Sequence, residues 1–474
     1  MSSIDPTSAA ARTAIEEAVA EGFPAAVASL GSLVRIPSVS WDGFDPEPVQ
    51  RSAEAVAELA RDTGVFDSVD IRRSRVGEGE ALGQPAVLAV RRARHGAPTI
   101  LLYAHHDVQP PGDAAQWDSA PFEPTVRGER LYGRGTADDK AGVMSHIAAI
   151  RALVAALGPE PALGIVLFVE GEEEFGSRSF TTFLAENHDD LAADVIVVAD
   201  SGNWDLDTPA LTVSLRGNVT FRLRVSTLDH ASHSGTFGGA APDAMLATIR
   251  LLASLHAADG SVAVAGLGRH EAPVPADYDE ARLVEEAALL PGVRPIGTGP
   301  VLSRLWFQPS ITVTGIDAPS VKNASNTLIP SVTVRLSVRV APGQAPEEAL
   351  AAVRAHLERH APFGARLEIT DVDTGSPFLV DSSGWAVAEA RAAMSAAYGR
   401  ETIEVGAGGS IPFVADLVAR FPAAQILITG VEDPDSRAHS PNESLHLPTL
   451  RRGILAEALL LASLEGRANP GARA

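Results

Sequence analysis

Between residues 85 and 200 short β-rich runs alternate with helical stretches: "AVLAVRR", "TILLYA", "AGVMSHIAAIRALVAAL", "GIVLFVE", "SFTTFLAEN" and "DVIVVAD". The β runs lack the every-other-residue polar alternation of a sheet with one wet face, so each is expected to be buried on both sides. Strands of that kind, separated by helices, define an α/β sheet covered on both faces. Near residue 215 the pattern changes. "VTFRLRVS", the helical "PDAMLATIRLLASL", "SITVTGI", "SVTVRLSVRV", the helical "PEEALAAVRAHLERH" and "ARLEITDVD" follow in the order β-α-β-β-α-β, with a long Pro-containing insertion after the first helix. These strands do alternate, and the order suits a small ferredoxin-like module. After about residue 378 the first pattern returns, so the expected organisation is an α/β domain (1–213 and 378–474) into which an α+β module (214–377) is inserted.

The strand ends carry the chemistry. "TILLYA" runs directly into "HHDVQP", and open α/β sheets place their sites beyond the carboxyl ends of strands. "GIVLFVE" leads into Glu172, Glu173 and Glu174, and "DVIVVAD" ends on Asp200. "AAQILITG" precedes a loop holding His439, and "GRGTADDKAG" sets Asp138 and Asp139 just before a long helix. Singly, these are a solvated loop, an acidic run, a cap, a surface histidine and an N-cap. Together they are five loops on one sheet edge that all deliver hard or borderline metal ligands. The 474 residues contain no cysteine, so any metal must be held by His, Asp and Glu, as in a pair of divalent ions: Zn²⁺ first, with Mn²⁺ or Co²⁺ as alternatives. Such a pair sits roughly 3.5–4 Å apart, shares a carboxylate and needs a base for its water.

The net charge of −22 argues against nucleic acid or an anionic membrane as the main partner. The N-terminal stretch is acidic and amphipathic instead of basic then apolar, which does not read as a signal peptide, and no uninterrupted apolar run reaches membrane-spanning length. A cytoplasmic location is the expectation.

At these residues the chain resembles the carnosinase and cytosolic nonspecific dipeptidase branch of the dinuclear zinc aminoacylase/peptidase family, which also includes acetylornithine deacetylase and succinyl-diaminopimelate desuccinylase. "HHD", "GRGTADDKAG", "EEFGS", Asp200 and "AHSPNE" carry the resemblance, which extends from "LVRIPSVS" almost to the end. It implies a mixed-sheet zinc-peptidase catalytic domain with an inserted ferredoxin-like lid and dimerisation domain. It also implies His105 and Asp200 on one metal, Glu174 and His439 on the other, and Asp138 bridging. Asp107 would orient His105, and Glu173 would act as general base and acid. A register slip by one would make Glu172 the general base and Glu173 the metal ligand, but the "FGS" that follows opposes it. Relatives carry a cis peptide between the paired aspartates, here Asp138 and Asp139.

In the inserted module, "DHASHSGTFGG" resembles the segment whose histidine, here His233, reaches the partner subunit's active site to hold the oxyanion. A homodimer through this module follows from the resemblance. Thr327 and Arg339 match substrate contacts, Arg339 being suited to a carboxylate. Gly409 and Ser410 match the glycine-serine loop that receives the substrate's C-terminus. Relatives often carry Arg-Glu just before these glycines; this chain has Gly406 and Ala407, which leaves side-chain preference open. The implied activity is hydrolysis of dipeptides or short peptides with a free C-terminus, with an N-acyl-amino-acid deacylase as the alternative. A nucleotide site is excluded by the missing third glycine and the absence of a Gly-Lys-Ser/Thr loop. A binding protein without catalysis would have no need of Glu173.

Overall fold

The computed structural model describes residues 6, 8–272, 274–275, 278–408 and 412–467. The chain forms two compact units: Met1–Val213, Val380–Glu404 and Asp416–Ala474 make up the first, and Ser214–Leu379 with Val405–Ala415 the second. The second therefore takes in a later segment that the sequence pattern had left with the α/β domain.

The first unit is built on a mixed sheet with the order Ser68–Arg72, Ala86–Arg91, Gly164–Glu170, Thr99–His105, Val195–Val198, Gln425–Ile428. Thr99–His105 runs parallel to Gly164–Glu170 and to Val195–Val198, which is parallel to Gln425–Ile428. Ala86–Arg91 and Ser68–Arg72 continue the sheet antiparallel. The central strands are apolar throughout because both faces are covered: Gly164–Glu170 is buried at all seven positions. On one face Phe168 stacks on Phe183 with centroids 4.7 Å apart. The helices Ala9–Val34, Lys140–Leu157, Trp385–Tyr398 and Leu447–Glu465 contribute Leu30, Ile147, Ala390 and Leu461 to the main core.

Lys140–Leu157 has the length and hydropathy of a membrane span even though no apolar run in the sequence suggested one; 67% of it is buried inside the protein, as befits a core helix. Its first turn holds Gly142, where a Cβ would come within 2.8 Å of the Ala199 carbonyl oxygen. The missing side chain lets the helix start approach the strand end that leads to Asp200.

The second unit has a four-stranded antiparallel sheet in the order Ser310–Asp317, Ser331–Val340, Gly217–Ser226, Arg366–Gly375. Ser331–Val340 buries every second residue, and Val332, Val334, Leu336 and Val338 join Ala247 and Leu251 of Ala244–Ala253 and Val353 and Leu357 of Pro346–His360 in one core. The other face keeps Thr333, Arg335, Ser337 and Arg339 only half-buried. The β-α-β-β-α-β order and this strand arrangement are those of a ferredoxin-like fold.

Candidate metal centre

The ligating residues converge because their strands end at the same edge. His105 is the last residue of Thr99–His105, Asp200 follows Val195–Val198, and Glu173 and Glu174 lie on a single 3-10 turn after Gly164–Glu170. His439 follows Gln425–Ile428, and Asp138 precedes the helix Lys140–Leu157. Ligand atoms of His105, Asp138 and Glu174 lie within 4.8 Å of one another, and so do those of His105, Glu173 and Asp200. Asp138 stands between the histidines, with Oδ1 3.2 Å from His105 Nε2 and Oδ2 2.9 Å from His439 Nε2. His439 Nε2 is also 3.3 Å from Glu174 Oε2. The peptide joining Asp138 to Asp139 is cis.

The residues fit a pair of divalent cations. Among the described residues, His105 Nε2 is buried without a hydrogen-bond partner, although Asp138 faces it. A buried polar nitrogen left this way costs free energy unless something else engages it. The donor set of two imidazoles (His105, His439) and three carboxylates (Asp138, Glu174, Asp200) without sulfur suits zinc-like ions. Electrostatics point the same way. Burial, reinforced by Asp138 and Glu174, pushes Asp200 up to about 7. Burial, then Asp200, raises Glu173 well above the usual carboxylate range, and burial with Asp138 raises Glu174. Burial also acts against Asp138, but its interactions with His105 and His439 prevail and hold it low. His439, bonded to Asp138 and then Glu174, is pushed up to about 11. The acids crowd one another, and the histidines attract positive charge to offset them.

The surrounding groups fix this geometry. His105 Nδ1 bonds the Asp107 backbone carbonyl at 3.1 Å, and Asp107 Oδ1 lies 3.3 Å from the same nitrogen. The Asp107 carboxylate accepts the backbone N–H of Glu173 (3.1 Å) and of Glu174 (3.0 Å), and Ser40 Oγ donates to it at 2.7 Å. Asp139 makes no side-chain cap on its helix and instead accepts His105 N–H at 3.1 Å. Glu172 is occupied by Gln84 N–H, Ser179 N–H and the Ser179 hydroxyl, so it is not available to take over a neighbour's role. His106, on the variable position of the motif, bonds the Pro85 carbonyl at 2.8 Å, and burial lowers its pKa to about 4.

Two acids near the site carried no sequence expectation. Glu443 is fully buried; its Oε1 accepts Ala137 N–H (3.0 Å) and Asp138 N–H (3.2 Å), while Oε2 takes Arg134 Nη1 at 2.5 Å. It thereby holds the loop that carries Asp138. Glu432 is raised by burial and then by Asp138 and Asp200. The only sequence signal was that Glu443 belongs to "AHSPNE". The loop around His439 is strained, with Arg437, His439 and Asn442 all at left-handed φ (55°, 62° and 62°), at a cost of order 1–3 kcal/mol each.

In the second unit His233 pairs directly with Thr327 across the two short strands Ser232–His233 and Thr327–Leu328. His233 Nδ1 accepts Gly235 N–H at 3.0 Å, so a neutral ring carries its proton on Nε2. Arg339 pairs in register with Ser310 and Asn218. Gly409 and Ser410 lie outside the described residues.

Comparison with known proteins places the chain among metal-dependent peptidases. It belongs to peptidase family M20/M25/M40, whose sequence profile it matches over residues 101–463. It is 35% identical over 379 residues to the cysteinylglycine-S-conjugate dipeptidase of Corynebacterium striatum, covering 79% of this chain and 83% of that protein. It is 28% identical over 432 residues to the Beta-Ala-His dipeptidase of Rattus norvegicus, covering 86% and 87%. Among solved structures, the dipeptidase Dug1p from Saccharomyces cerevisiae superposes with a TM-score of 0.80 at 22% identity, over 98% of this chain and 100% of that one. Human carnosine dipeptidase 1 superposes with a TM-score of 0.77 at 23% identity, over 96% and 98%.

Proposed function

We propose that this chain is a cytoplasmic, homodimeric dipeptidase that cleaves dipeptides with a free C-terminus. The observation that carries this is Asp138, with one oxygen turned to each histidine, as a carboxylate shared by two cations must be. In this reading His105 and Asp200 hold one ion, Glu174 and His439 the other, with Zn²⁺ preferred. When bound, the ions supply Lewis acidity that polarises the scissile carbonyl and acidifies a water. Glu173 takes a proton from that water and delivers it to the leaving amine. Its pKa is raised first by burial and then by Asp200, which favours its holding the proton between the two transfers. Asp107 serves by locking His105 and the amides of Glu173 and Glu174 into one geometry. His233, from the partner subunit, donates Nε2–H to the oxyanion, with Thr327 beside it. Arg339, Gly409 and Ser410 receive the substrate's C-terminal carboxylate. The names of the similar dipeptidases support the substrate class.

The test combines metal analysis of the purified protein with turnover on a panel of dipeptides and of acetylated amino acids. Two equivalents of metal per chain and cleavage confined to dipeptides are expected; preferential release of acetate would replace the reading with that of a deacylase. Mixing His233→Ala with Glu173→Gln chains should restore activity through one intact composite site per dimer, and no restoration would remove the subunit-sharing assignment.

A further inference from the structure

The second unit contains a cavity of about 470 Å³ within the long insertion that follows Ala244–Ala253, lined by Arg216, Arg269, Arg294, Arg304 and by apolar residues including Leu283 and Val301. That volume falls in the usual range for small-ligand pockets. Among the described residues no aspartate or glutamate lines it, although the chain has 60 acids to 38 bases. Arg304 is matched by Glu280 at 2.9 Å just outside the lining, and Asp259 lies within electrostatic reach of Arg269.

Arg216 has no such match. It is 8% exposed, and its Nε and Nη1 donate to the backbone oxygens of Gly408 (3.0 Å) and Gln308 (3.2 Å). These carbonyls fix the guanidinium but carry no formal charge. Among the described residues no carboxylate pairs with it; the charge that reaches it is another cation, Arg339, and burial, then Arg339, pull it down to about 10. A buried cation without a counter-charge is costly, and a guanidinium fixed at one edge presents its remaining N–H groups to an anion.

We propose that this cavity binds a small organic anion, an amino-acid-sized carboxylate on an aliphatic body, with Arg216 as the buried charge partner and the apolar wall taking the hydrocarbon. A free inorganic anion would leave that wall unused. The site lies wholly in the second unit and stands whether or not the hydrolytic reading does.

Calorimetric titration of the metal-loaded full-length protein with isocaproate, with its neutral amide, and with inorganic phosphate tests this. Isocaproate should bind at least about tenfold more tightly than the amide, and Arg216→Met should remove that preference. Isocaproate that binds only at the metals would be held equally by wild type and Arg216→Met, which would overturn the proposal. So would phosphate binding more tightly than isocaproate. Because loss of Arg216 can disturb folding, Arg294→Ala at the exposed part of the lining provides a second reading: a several-fold loss of isocaproate affinity is expected, and unchanged affinity counts against the site.

Discussion

The two units present opposite electrostatic problems. At the sheet edge of the first, Asp138, Glu173, Glu174 and Asp200 crowd together with two histidines, and most of the acids are driven up in pKa. In the second, arginines gather around a cavity whose described lining contains no acid, and among the described residues Arg216 is buried without a counter-charge. In a chain this acidic, neither imbalance follows from composition. A folded chain tolerates such excesses where something else supplies the missing sign, so local departures from charge balance mark places where a ligand belongs.

If that contrast is right, the largest effects should arise at the acidic edge. Glu173→Gln should lower kcat by about 10²- to 10⁴-fold while metal content and unfolding midpoint stay near wild type; substantial residual turnover would show that the proton is handled elsewhere. Next comes the clamp behind the edge. Glu443→Ala leaves Arg134 buried and unpaired and frees the amides of Ala137 and Asp138, so a stability loss of about 3–5 kcal/mol is expected in denaturant titrations. A loss within experimental error would mean the loop is held by other contacts.

The cationic side should act on binding more than on turnover. Arg339→Gln should raise KM for free dipeptides by about 10- to 100-fold, the worth of a charge-assisted hydrogen-bond pair, and leave KM for dipeptide amides little changed. Equal effects on both substrates would detach Arg339 from the carboxylate. The smallest effect concerns His146, which lies deep in the first unit. Its Nδ1 faces Glu457 at 2.8 Å and its Nε2 the Tyr103 carbonyl at 2.9 Å, so both partners are acceptors and the ring is favoured in its charged form. Burial opposes the charge, but Glu457 outweighs it and the pKa is raised above 6.5. The stability advantage of wild type over His146→Gln should therefore be complete below about pH 6.5 and shrink as pH rises through the raised folded value. A pH-independent difference would contradict this sign.

Legibility in the sequence followed the same division. The central strands were readable because burial on both faces leaves continuous apolar runs such as "GIVLFVE", and their ends exposed the ligands. Ser68–Arg72 was not, because an edge strand with exposed and half-buried positions needs no apolar pattern. Glu443 and Glu432 sit among several polar residues of one loop, and only the fold reveals that Glu443 meets residues some 300 positions away. Arg216 belongs to no motif and stands between the strands Ala210–Leu215 and Gly217–Ser226, so nothing in the sequence marks it. Its cavity is formed by an insertion whose sequence has no periodicity to follow.

Asp107 meets the ring of His105 with its backbone carbonyl and, at 3.3 Å, its carboxylate, and the carboxylate also takes the consecutive amides of Glu173 and Glu174. The end of Thr99–His105 and the glutamate turn thus share one anchoring residue, so moving either relative to the other would break hydrogen bonds at Asp107. The spacing between Glu173 and the His105 imidazole is therefore set locally, by one residue that contacts both segments.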